Sequence, residues 1–83
     1  MLRQNNMSIE YNEKYDILYV TLKECPDSFV DEKHRGVLIN LDYKTREIVG
    51  LDIWNFKKRM LNNEDVPLPF HIDLRSIFNT LVH

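Results

Sequence analysis

Asp16, with Tyr11 and Tyr19 close by in the chain, is the first group of residues here that could do chemistry. A carboxylate beside a phenol can act as a general base. Acid–base work asks for a second group whose proton affinity is set apart from the first, and no second carboxylate is spaced to share the task. The stronger reading makes Asp16 a turn residue that closes a hairpin and accepts backbone or tyrosine hydrogen bonds. His34, His71 and His83 raise the question of a metal, but only His71 and Asp73 stand close together, and zinc asks for three or four converging ligands. The reading is therefore no metal and no cofactor. Cys25 lies among Glu24, Pro26 and Asp27, which do not supply the cationic setting a nucleophilic thiolate needs. Lys57, Lys58 and Arg59 form the one basic run. At a helix N-terminus such a run could collect a phosphate or carboxylate, although a solvated face is the plainer reading. No catalytic set emerges, which favours a non-enzymatic role. The alternative is a small ligand-binding protein or enzyme that gathers Asp16, Asp52 and His34 around a polar cleft.

The elements that would position these residues belong to one small domain. The chain has 83 residues, 43% hydrophobic and 29% charged, a globular balance. A net charge of -2 lacks the basic excess of a generic nucleic-acid binder. With one cysteine, no disulfide can form within the chain. No stretch approaches the roughly 18 apolar residues of a membrane span, and no signal-like apolar run opens the sequence. A cytoplasmic protein without a membrane partner is expected, with residues 1–6 a flexible leader and 7–83 the folded domain.

Alternation defines the strands. Met7, Ile9 and Tyr11 point one way and Ser8 and Glu10 the other. Residues 12–14 form a polar turn, and residues 15–23 a second strand. Pro26 ends that strand, and residues 28–34 make a charged edge strand. Gly36 marks a bend, then residues 37–42 and 48–54 form a hairpin whose turn is supplied by Asp42. Asn55 is placed to cap a short helix, residues 56–62. Pro67 and Pro69 hold a loop open, and Asp73 caps a final helix whose Leu74, Ile77, Phe78, Leu81 and Val82 make an apolar stripe. The fold class is α+β: an antiparallel meander of four to five strands, a short helix and a C-terminal amphipathic helix.

Both faces of this sheet carry apolar residues. Leu18, Val20, Leu22, Val37, Ile39, Leu41, Val49, Leu51 and Ile53 share one. The other keeps Ile17, Tyr19, Leu38, Ile48 and Trp54. A sheet with one face in water alternates more cleanly than that. A domain this small buries only about 60% of its unfolded surface, so a homodimer or another protein partner is expected to cover the remainder. Ile17, Tyr19, Leu38, Ile48, Trp54 and Phe56 are the candidate anchors.

Tyr11, Asp16, Leu18 and Tyr19, then Gly36, Val37, Asp42, Ile48, Val49 and Gly50, follow in an order and spacing that resembles the bacterial and archaeal DUF2283 family. Asp52 stands where that family more often has glutamate. The resemblance runs from about Ser8 to Arg59. It implies an antiparallel sheet domain with Tyr11, Asp16, Gly36, Asp42 and Gly50 as motif residues, and it supplies no catalytic residue. Some members look like products of two-gene units beside toxin-like proteins, which implies an antitoxin-like or partner-binding role.

Overall fold

The computed structural model of the chain describes residues 2–4 and 7–82. Six strands form one antiparallel sheet: β1 (Leu2–Gln4), β2 (Met7–Asn12), β3 (Ile17–Thr21), β4 (Ser28–His34), β5 (Val37–Asp42) and β6 (Ile48–Trp54). Two helices follow, α1 (Phe56–Leu61) and α2 (Leu74–Leu81). Five strands of five to seven residues carry the sheet. Three-residue β1 lies in the stretch assigned to a leader by sequence, and it pairs with β2. Met1, Asn5, Asn6 and His83 lie outside the described residues.

The strand order is β1-β2-β3-β6-β5-β4. Two up-and-down units, β1–β3 and β4–β6, meet along β3 and β6. Residues 22–27 carry the chain from β3 past the start of β6 to the far edge. The amides of Leu22 and Lys23 donate to the Val49 carbonyl on the way (2.8 and 3.3 Å).

Both helices cover the same face. Phe56 and Met60 of α1 and Leu74 and Ile77 of α2 join Ile9, Leu18, Val20, Val37, Leu51 and Ile53 in one buried cluster. Val66 and Ile72, from the loop between the helices, complete it. The Arg75 guanidinium on α2 donates to the Met60 carbonyl at 2.9 Å and to Asn63 Oδ1 at 3.2 Å, which satisfies the C-terminal end of α1. Asp73 caps α2 as expected, its Oδ1 accepting from the Ser76 amide at 3.1 Å.

Asn55 stands at the N-cap position of α1, and its carbonyl accepts from the Arg59 amide at 2.8 Å, but its side chain does no capping. It takes a left-handed conformation, φ 58°, and its side chain accepts no bond from the helix. The face assignment of Ile48 also changes. Asn40 pairs with Gly50 but Leu41 with Ile48, so β6 carries one extra residue there. Such a bulge turns the residue beyond it to the other side. Ile48 therefore sits on the helix side with Leu41, beside Pro67, Leu68 and Pro69.

Candidate functional site

Asp16 is spent on the fold. It occupies the β2–β3 turn with φ 56°, a left-handed conformation that Asp tolerates better than most residues. From there its carboxylate reaches α1, forty residues on. Oδ1 accepts from the Lys57 amide at 2.7 Å and Oδ2 from the Lys58 amide at 3.3 Å. Tyr11 donates its hydroxyl to the same Oδ1 at 2.8 Å, and the Asp16 carbonyl accepts from the Phe56 amide at 3.1 Å. The first turn of α1 holds no acid of its own and carries Lys57 and Lys58, so Asp16 supplies the negative charge that the helix dipole favours. Burial pushes the Tyr11 phenol up to about 12, and the bond to Asp16 adds to the shift.

In the basic run, the Lys57 and Lys58 amides that an anion at this helix end would use are held by Asp16. Arg59 is committed as well. Its Nε donates to the Trp54 carbonyl at 2.7 Å, one terminal nitrogen to the Arg35 carbonyl, and the other to Glu64 Oε1 at 2.8 Å. It laces the β4–β5 turn, the end of β6 and the exit of α1 together. Lys57 and Lys58 are exposed.

The remaining motif residues hold turns and close approaches. Gly36 has φ 76°, and a Cβ there would run into the Arg59 guanidinium. Asp42 Oδ1 accepts from the Lys44 amide at 2.8 Å and the Thr45 amide at 3.3 Å, shaping the β5–β6 turn as the sequence predicts. The bond from the Lys44 amide holds its carboxyl below the ordinary value. A Cβ on Gly50 would sit 2.8 Å from the Val20 carbonyl oxygen, across the ladder. Asp16, Asp52 and His34 line no common cleft. Asp16 faces α1, Asp52 stands mid-sheet, and His34 pairs with Val37, whose side chain lies on the helix-covered side. Cys25 lies in the 22–27 crossover, where its thiol approaches the Asp27 carbonyl at 3.5 Å. Among the described residues no three His, Cys, Asp or Glu side chains come together as a metal site.

The face opposite the helices is the remaining candidate. Direct pairing puts Glu10, Tyr19, Asp52, Leu38 and Glu32 in one row across five strands. The adjacent row holds Asn12, Ile17 and Trp54. None of these residues belongs to the cluster the helices cover, and α1 meets the face only at its rim, where Arg59 holds the Trp54 carbonyl. Ile17, Tyr19 and Leu38 are half-buried by their neighbours in the sheet, while Trp54 keeps 46% of its surface in solvent. Of the six anchors expected from sequence, Ile17, Tyr19, Leu38 and Trp54 share this face. Ile48 lies on the other side. Phe56 is wholly buried, edge-on to Tyr11 and Phe78 (ring centroids 6.0 and 6.1 Å apart), and cannot meet a partner. Beyond Trp54 a surface groove of about 500 Å³ runs between Glu32, Arg35, Lys58 and Asn62.

A sequence model of the family described as proteins of unknown function, DUF2283, matches residues 8–57, more than half of the chain. The chain belongs to the DUF2283 family. The match ends at Lys57, one of the two residues whose amides Asp16 caps, so the DUF2283 segment contains the five long strands, but for Met7, and the contact that starts α1. Tyr11, Asp16, Gly36, Asp42 and Gly50 all lie inside it and all serve the fold. No curated protein and no solved structure matches the chain. No helix among the described residues is long and apolar enough to cross a membrane.

Proposed function

We propose that this DUF2283 protein is a non-enzymatic interaction module that pairs with a second copy of itself through the open face of its sheet. The observation that carries the reading is the cluster of Ile17, Tyr19, Leu38 and Trp54 on a face neither helix covers. Five strands at about 4.8 Å spacing give a face roughly 20 Å wide, the scale of a small dimer interface. Size argues the same way, since a chain this short gains needed burial by pairing. The β4 edge is a poor alternative. It carries the Asp31–Lys33 ion pair (3.0 Å) and a register irregularity before His34, both of which blunt strand addition.

Sedimentation equilibrium from micromolar to millimolar protein tests the proposal, at neutral and acid pH. The wild type should form dimers and Trp54→Ser with Tyr19→Ser should not, at unchanged helix and sheet content. A wild-type chain that stays monomeric throughout overturns it. An antitoxin-like role, resting on the family resemblance, is the wider form of this reading, and it requires that the product of a neighbouring gene co-purify with the chain. A cytoplasmic setting goes with it, supported by the lone Cys25. The groove beside Trp54 supports the alternative, a small ligand-binding protein or enzyme. That alternative fails if a panel of small anionic and zwitterionic metabolites leaves the amide spectra of Arg35 and Lys58 unmoved.

A further inference from the structure

Resting on the pairing proposed above, we infer that Asp52 places it under proton control: two copies close on one another when the carboxyls at the centre of the open face lose their charge. Asp52 lies on β6, the middle of the five long strands, directly between Tyr19 on β3 and Leu38 on β5. Its row alternates carboxylate with apolar side chain, Glu10, Tyr19, Asp52, Leu38, Glu32. The groups that face Asp52 are Glu10 from β2, the Tyr19 phenol from β3 and Glu32 from β4, while β5 contributes only Leu38 and Asn40. Neither this row nor the row of Asn12 contains a lysine or arginine among the described residues, while Arg3 of β1 pairs with Ser8 at the edge of the sheet. Arg35 and Lys58 belong to the groove beyond Trp54.

Two aligned sheets pack about 10 Å apart with their strands roughly 30° askew. A two-fold pair centred on Asp52 therefore brings the two Asp52 carboxyls toward each other, with no cation in their own row to offset them among the described residues. Like charges brought together and drawn out of water resist ionisation. Asp52 already leans that way in the single chain. Partial burial raises its carboxyl above the ordinary value, against a smaller opposing effect of the bond from the Asn40 side chain. Pairing raises it again. A group whose pKa is higher in the complex strengthens binding as pH falls through that value, and the gain is complete below the free-chain value. If each carboxyl rises by about one unit, each contributes about tenfold, and the pair about a hundredfold.

The test measures the dimer dissociation constant of the wild type and of Asp52→Asn, near pH 7.5 and near pH 4.5, with circular dichroism confirming the fold at each. The wild type should pair much more tightly in acid. Asp52→Asn should pair tightly at both values and respond little to pH. Independently of the variant, the Asp52 carboxyl carbon of the wild type should titrate at higher pH in concentrated than in dilute protein. A dimer whose affinity ignores pH, or whose acid response persists unchanged in Asp52→Asn, or a carboxyl titration independent of concentration, overturns the inference and leaves the pairing standing. Absence of pairing by either protein at either pH overturns both.

Discussion

Replacing Asp16 by Ala removes three hydrogen bonds at one stroke and leaves alanine in a left-handed conformation. The cap on the Lys57 and Lys58 amides is worth about 1 kcal/mol. The bond from the Tyr11 hydroxyl to a charged acceptor contributes a further ~1.5 kcal/mol. Alanine tolerates the positive φ less well than aspartate, at a cost of about 0.5–1 kcal/mol. The sum is about 3 kcal/mol, against a total stability of about 4–12 kcal/mol for a chain of this length. With a urea slope of about 1 kcal/mol per molar, the unfolding midpoint should fall by roughly 2–3 M. Asp16→Asn keeps one acceptor oxygen and the tolerance for a left-handed turn, so it should lose only about a third as much. A double-mutant cycle with Tyr11→Phe should return a coupling of about 1 kcal/mol. An Asp16→Ala midpoint within experimental error of wild type, or a vanishing coupling, refutes the capping argument and reopens Asp16 as a functional carboxylate.

Arg59→Ala should destabilise the chain by about 2–3 kcal/mol in the same urea assay, because its guanidinium holds two carbonyls and Glu64 at once. Lys57→Ala and Lys58→Ala, at exposed positions, should stay within about 0.5 kcal/mol. In a spectrophotometric titration, one of the four tyrosines should ionise near 12, and Tyr11→Phe should remove that late phase. Because the folded phenol titrates above the unfolded value of 10.0, its contribution to stability is present below pH 10 and declines from pH 10 to about 12.

Alternation within strands was legible because it repeats every two residues, and β2 to β6 fall where Met7, Leu18, Phe29, Val37 and Ile53 place them. Asp73 before the stripe of Leu74 and Ile77 marked α2 for the same local reason. Long-range features were not legible. The charges of residues 28–34 mark β4 as an edge strand, which it is, but nothing in them says which edge, or that β6 lies next to β3. The Val49 bulge moved Ile48 across the sheet although the alternation around it is unbroken. Asn55 holds the N-cap position of α1 that the sequence predicts, but the side chain that satisfies the helix amides is a carboxylate from the β2–β3 turn, which no local pattern reveals. Phe56 read as a free anchor because its inward turn depends on Tyr11 and Phe78, distant neighbours in sequence. The open face was legible in the surplus of apolar residues at Ile17, Tyr19, Leu38 and Trp54.

The seam between β3 and β6 bears on how the chain folds. Its rungs run from Thr21 with Gly50 to Ile17 with Trp54, so each must close a loop of about thirty residues or more. The hairpins on either side close loops far shorter. Each flank can thus zip up early as a local ribbon, and joining the ribbons becomes the slow entropic step. Until they join, Leu18 and Ile53 face water along raw strand edges, which is when this small protein is most exposed to aggregation.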